Sequence, residues 1–180
     1  MRQPARCFAL LTAVAALPLS SCATVGDLPT ERVASARLSL PNGIPAGTVQ
    51  LLGSGNELTL AVAVTGLEQG AHGFHLHTTG QCAAPDFTSA GGHLNPEGNT
   101  HGSLSPGGSH FGDLPNLMVG ANGSASATIE LDGASRAQMI DWLFDSDGTA
   151  VIVHAGPDDY LSDPAGDAGA RVACGVLQRS

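Results

Sequence analysis

Leu58, Leu60, Val62 and Val64 alternate with Thr59, Ala61 and Ala63, the cleanest period-two run in the chain. Strand side chains point alternately to two faces, so this run predicts a strand with one apolar face. The same alternation, over a shorter length, sets Leu38 and Leu40 against Arg37 and Ser39, and pairs Val49 with Leu51 across Gln50. Asn122-Gly123 is a hairpin signal, followed by Ala127, Ile129 and Leu131 on one face. Strands are also expected near Leu117 to Val119, over Thr149 to His154 with Ile152 and His154 on a shared face, and over Arg171 to Leu177. Ser135 to Phe144 fits a short helix or an irregular strand. Two stretches have no sustained period: Thr78 to Asn116, dominated by Gly, Pro, Ser, Asn and His, and Ala155 to Ala170, which carries Asp158, Asp159, Asp163 and Asp167. Loops of that length inside a compact domain are generally functional or tied down by something. About eight strands and two long functional loops predict an all-β fold, an antiparallel barrel or sandwich.

Ala71 to His77 is the strand to which chemistry attaches. His75 and His77 project together while Phe74 and Leu76 face the other way, so one face can chelate a metal and the other can anchor a core. A lone pair of histidines can also merely decorate an exposed strand face. The remaining histidines change the picture. His93, His101, His110 and Asp113 are separated by eight, nine and three residues in the first loop. Three imidazoles and a carboxylate make a four-coordinate set of the kind zinc accepts. His75, His77 and His154 come from two strands and form a nitrogen-rich set, which suits copper. Spacing alone does not say that the two sets are neighbours.

Composition and charge add a compartment. The chain has 180 residues, enough for one domain with a real core, and 24 glycines and 11 prolines that favour short strands and turns. Arg2 and Arg6 precede an apolar segment from Phe8 to Leu19, too short to span a bilayer. It ends in Leu19-Ser20-Ser21-Cys22, which resembles a bacterial lipobox; an ordinary signal peptide cleaved nearby is the alternative. On the lipobox reading residues 1–21 are a lipoprotein signal peptide, Cys22 is lipidated and anchors the protein to a membrane, and residues 22–31 are a tether to a domain spanning 32–180. The mature protein then carries five arginines against sixteen acidic residues, a net charge of −11, which argues against nucleic acid as a partner. Export to an oxidising compartment permits disulfides. Once Cys7 leaves with the signal and Cys22 is lipidated, Cys82 and Cys174 remain; a bridge between them is the simplest outcome, two unpaired buried thiols the other.

Four short blocks carry a family resemblance: G-A-H-G-F-H-L-H at Gly70 to His77, S-A-G-G-H-L-N-P at Ser89 to Pro96, H-F-G-D-L at His110 to Leu114, and G-D-A-G-A-R-V-A-C-G-V at Gly166 to Val176. V-I-V-H ending at His154 is a weaker fifth. From about Arg32 onward the chain resembles the copper/zinc superoxide dismutases in their bacterial periplasmic form. The resemblance implies an eight-stranded Greek-key barrel or sandwich with one copper and one zinc per subunit. It makes His75, His77, His93 and His154 the copper ligands and His93, His101, His110 and Asp113 the zinc ligands, with His93 shared. Arg171 becomes the anion dock and, with His93, a catalytic residue. Asp158 becomes a carboxylate linking His75 to His101, His72 a structural histidine tying strands together, and Cys82–Cys174 the family disulfide.

The activity implied is the dismutation of superoxide anion to dioxygen and hydrogen peroxide, by a membrane-anchored, exported lipoprotein of the periplasm. A non-catalytic exported protein that binds or buffers copper is the alternative on the same fold. Bacterial relatives differ in oligomeric state, so a homodimer is an open expectation. One departure stands out: Ala155 to Ala170 lacks the lysines and glutamates that guide substrate in eukaryotic relatives.

Overall fold

The computed structural model describes residues 30–180. The expected signal peptide of residues 1–21 and the lipidation site Cys22 lie outside the described residues. Glu31, at the end of the expected tether, already pairs with Gly53.

The strands are β1 (Glu31–Ser39), β2 (Pro45–Ser54), β3 (Glu57–Thr65), β4 (Gly70–His77), β5 (Asp113–Val119), β6 (Ser124–Leu131), β7 (Ala150–His154), β8 (Arg171–Val176) and the two-residue β9 (Gln178–Arg179). Eight of them run side by side in the order β5-β4-β7-β8-β1-β2-β3-β6, and β9 pairs with β1. Every pairing is antiparallel. The terminal strands β5 and β6 lie against each other, which nearly closes the barrel. The steps from β3 to β4 and from β6 to β7 cross over other strands, the connection pattern of a Greek key.

The alternating run behaves as its pattern predicts. Leu58, Leu60, Val62 and Val64 are buried, and Leu60 stands opposite Leu51 on one side and Ile129 on the other. Ala127, Ile129 and Leu131 share the inward face of β6. The stretch left open between helix and strand is a helix, α1 (Arg136–Leu143). A capping box starts it: Ser135 accepts from the Gln138 N–H, and the Gln138 side chain accepts from the Ser135 N–H. Its inner side buries Met139 and Leu143.

Strand β5 begins at Asp113, earlier than Leu117, so the first long loop covers 78–112 and the zinc-type carboxylate belongs to a strand. Pro115 hid this. Proline interrupts a strand pattern, yet an end strand of the sheet path tolerates it because one row of its N–H groups needs no ladder partner. Leu40 likewise falls just beyond β1, in a turn closed by its N–H donating to Ile44 O.

β4 and β7 differ from β3 in being buried on both faces. Phe74, Leu76, Val151 and Val153 enter the main core. On the other side Ile152 joins a small cluster with Phe87, Ala90 and Cys174, beneath the disulfide between Cys82 and Cys174. That bridge joins positions 92 residues apart and, in the chain-entropy account, contributes roughly 4 kcal/mol. His75, His77 and His154 lie on this same outer side of β4 and β7.

Candidate metal centre

The histidines are not surface decoration. His75, His77, His93, His101, His110 and His154 are all buried, because the loops 78–112 and 155–170 fold over the outer face of β4 and β7. His77 bridges to His93 across an isolated pair of backbone hydrogen-bonding positions, which brings the first loop onto the strand.

Four of these imidazoles are fixed by one nitrogen each. His77 Nδ1 donates to Gly91 O (2.9 Å) and His154 Nδ1 to Gly169 O (3.1 Å). His75 Nε2 donates to Asp158 Oδ2 (2.7 Å), and His93 Nδ1 to Asp113 Oδ1 (2.8 Å). Carbonyl and carboxylate oxygens only accept, so in each ring the second nitrogen bears the lone pair. Those second nitrogens are His75 Nδ1, His77 Nε2, His93 Nε2 and His154 Nε2. They are the buried side-chain polar atoms without a hydrogen-bond partner among the described residues. The four residues offer ligand atoms within 4.8 Å of one another. Buried polar atoms are almost always paired, so four lone pairs gathered in one place call for an electrophile. An all-nitrogen set of this kind fits copper.

His93 also belongs to a second set. His101 Nδ1 and His110 Nδ1 lie 3.0 and 3.1 Å from Asp113 Oδ1, the same oxygen that His93 Nδ1 meets. The other carboxylate oxygen, Oδ2, accepts the backbone N–H groups of Gly102 and His110. His101 has a carboxylate at both nitrogens, since its Nε2 stands 3.0 Å from Asp158 Oδ1. A cation held between His101 Nδ1 and Asp113 Oδ1 would leave Nε2 to donate to Asp158. Three nitrogens and an oxygen make a donor set suited to zinc.

Burial governs the acid–base state. Desolvation is the largest influence on His93 and His154 and lowers them to about 4 and about 3, so both rings stay neutral and ready to ligate. Burial also pushes Asp113 and Asp158 upward, but hydrogen bonds from the surrounding groups overcome it and hold both carboxyls below their ordinary range.

The expected supporting residues are found beside these sets. Asp158 spans His75 and His101 with its two oxygens. His72 lies between two carbonyl oxygens, His154 O at 2.7 Å and Glu68 O at 2.9 Å, which ties β4 to β7 and to the turn before it. Arg171 is held by the disulfide loop: Nη1 donates to Phe87 O and Nη2 to Gly91 O, each at 2.6 Å. It lines a cavity of about 390 Å³ together with His77, His93 and His154.

Residues that the sequence did not single out complete the support. Asn116 grips Asp158 by two hydrogen bonds, Nδ2 to the Asp158 carbonyl and Oδ1 from the Asp158 N–H, both 2.9 Å. Tyr160 OH accepts the Asn116 N–H, and Asp163 Oδ1 accepts the His101 N–H. Gly166, at φ +64°, lets the second loop pass so close that a Cβ would lie 1.9 Å from Asp158 Oδ1. Its place in the block G-D-A-G-A-R was the available signal; Asn116 and Tyr160 offered none, being single polar residues without a pattern.

Comparison with known proteins agrees with this geometry. The family described as copper/zinc superoxide dismutase (SODC) matches residues 45–177. The copper–zinc superoxide dismutase of Caulobacter vibrioides is 38% identical over 174 residues, 93% of this chain and 98% of that protein. Superoxide dismutase [Cu-Zn] 2 of Aquifex aeolicus is 39% identical over 81% of this chain and 86% of its own. Among solved structures, a superoxide dismutase-like protein from Bacillus subtilis aligns with a TM-score of 0.74 at 36% identity, over 80% of this chain and 97% of that one. The Cu/Zn enzyme of Brucella abortus aligns with a TM-score of 0.65 at 29% identity, over 83% and 100%.

Proposed function

Because this chain belongs to the copper/zinc superoxide dismutase family, we propose that His75, His77, His93 and His154 hold copper and that His93, His101, His110 and Asp113 hold zinc. The protein is an oxidoreductase that converts superoxide to dioxygen and hydrogen peroxide. The relatives favour this enzyme over a non-catalytic copper buffer. Copper supplies the one-electron cycling of this chemistry, and zinc is redox-silent.

The chain's own residues supply the rest. Arg171 docks the anion: its guanidinium is permanently charged, and two carbonyls fix its plane beside the cavity that His77, His93 and His154 line. A net negative charge repels superoxide at long range, so attraction acts within a Debye length of about 8 Å. His93 Nε2 is the nitrogen that holds a proton between the two half-reactions, since Nδ1 is committed to the Asp113 set. Asp158 fixes the rings of His75 and His101 and so couples the two sets.

The observation that carries this reading is the convergence of four unpartnered imidazole nitrogens. Its test is metal analysis and a dismutation assay on protein reconstituted with both metals. The reading requires one copper and one zinc per chain with turnover, and is contradicted by stoichiometric metal without turnover.

The N-terminal segment extends the proposal to location. The lipobox ending at Cys22 supports an exported lipoprotein held to a membrane facing the periplasm. Cys22→Ser should then move the protein from membrane to soluble fraction at unchanged specific activity, and a variant that stays in the membrane would refute the anchor.

A further inference from the structure

Two cavities reach the ligand sets from solvent, and they differ in charge: one holds an arginine, the other only acids among its charged groups. The cavity that reaches His77, His93, His110 and His154 contains Arg171 and one acid, Asp163. A larger cleft, about 630 Å³, runs between the first loop, β5, β6 and Trp142 near the end of α1. Its lining includes the exposed acids Glu97, Glu130 and Asp132, and also His110 and Asp113, whose side chains are only 7% and 5% exposed. No described arginine lines it. Asn99 and His110 line both cavities, so they stand in the partition between them.

A cleft leading from three exposed carboxylates to two residues of the Asp113 set is a path for a cation. Low-dielectric walls lined by one sign of charge focus the field and raise the local concentration of the opposite ion. The same field turns away superoxide. His110 Nδ1 and Asp113 belong to the set proposed to hold zinc. The carboxylates of the cleft are not themselves among the residue groups close enough to chelate one ion. Their role is therefore capture and guidance, with residence reserved for the histidines.

Resting on that zinc assignment, we propose that this cleft is the entry route for zinc, with Glu97, Glu130 and Asp132 as its electrostatic funnel, distinct from the Arg171 channel that admits the anion. Zinc loading is then a separately tunable step. Charge at the cleft sets how fast zinc arrives, whereas His93, His101, His110 and Asp113 set how tightly it stays.

The test is the rate of Zn²⁺ uptake by the full chain stripped of metal, mixed with zinc ion alone in a stopped-flow instrument. Uptake is followed by loss of a chromogenic indicator's zinc complex and by fluorescence of Trp142, the chain's single tryptophan, which lines the cleft. Glu130→Gln with Asp132→Asn is compared with Glu68→Gln and Asp147→Asn, which removes the same charge elsewhere. The cleft variant should bind zinc roughly 3- to 10-fold more slowly than the control variant at low salt, and adding Glu97→Gln should deepen the loss. The gap should close as ionic strength rises, while final zinc content stays at one per chain. Equal uptake rates for the cleft and control variants at low salt would overturn the funnel. A failure of the zinc assignment looks different: His110→Ala would then retain zinc at the parent's affinity, whatever the uptake rates.

Discussion

Around Asp113, three imidazole nitrogens converge on one carboxylate oxygen; across the His93 ring, four imidazoles meet with no acid among them. In the first set one Asp113 oxygen stands within hydrogen-bond distance of all three imidazoles before any metal arrives. The second leaves four lone pairs unanswered, each carrying a desolvation cost of about 1–3 kcal/mol. Two ways of building a metal site therefore sit side by side in one pocket. A carboxylate assembles the set proposed for zinc in advance, and strands β4 and β7 hold the set proposed for copper open against that cost. His93 and Asp158 are the residues that belong to both arrangements.

Removing the shared ring should do the most damage. His93→Ala takes a ligand from each set at once, so zinc and most activity should be lost together, a fall in rate of more than ~100-fold and beyond what outer partners usually cost. Full activity with two tightly bound metals would dissolve the comparison. Asp158→Asn is the next cut. It keeps the shape but turns one of the two acceptor oxygens into an N–H donor and removes the negative charge from the other, so the affinity for both metals should fall ~10–100-fold in equilibrium competition with a chelator. An effect on one metal alone would mean that the carboxylate serves a single set.

Arg171→Ala probes the channel and neither ligand set. Both metals should remain bound while dismutation measured by pulse radiolysis falls roughly tenfold, about 1.4 kcal/mol, within the range of one charge-assisted hydrogen bond. Arg171→Lys should fall between, because charge survives without the fork. Parent-like rates in Ala, Lys and Glu variants at full copper loading would remove Arg171 from the mechanism.

The smallest effect is a slope with pH in the metal-free protein. His93 and His154 are lowered from 6.5 to about 4 and about 3 by burial, so below pH 6.5 the unfolded chain takes up protons that the folded one refuses. Stability should be unaffected by these groups above pH 6.5 and should decline as pH falls toward 4 and then 3. Denaturant unfolding at stepped pH measures it. A flat profile from pH 7 to 4.5 would show that these rings are not held neutral.

The contrast between the two sets also explains what could be read from the sequence. His75 and His77 were legible because a strand alternates, and the alternation of Leu58 to Val64 revealed the barrel wall by the same rule. His93, His101 and His110 were legible as ligand types, but their meeting with His75 depends on loop closure, which no local period encodes. The family blocks supplied that pairing. The start of β5 stayed hidden because Pro115 breaks the pattern that reveals strands. Asn116 and Tyr160, which grip and position Asp158, were invisible because tertiary contact alone gives them a role. Ser135 to Phe144 was ambiguous in hydrophobic pattern, and the capping box with Gln138 resolves it as helix.

The most direct test of the two-set account is the metal content of His154→Ala beside that of His110→Ala, each purified after exposure to both metals and examined by elemental analysis and copper electron paramagnetic resonance. The account predicts a double dissociation: His154→Ala loses copper and keeps zinc, and His110→Ala loses zinc and keeps copper. Loss of the same metal from both variants, or retention of both metals in either, would contradict it.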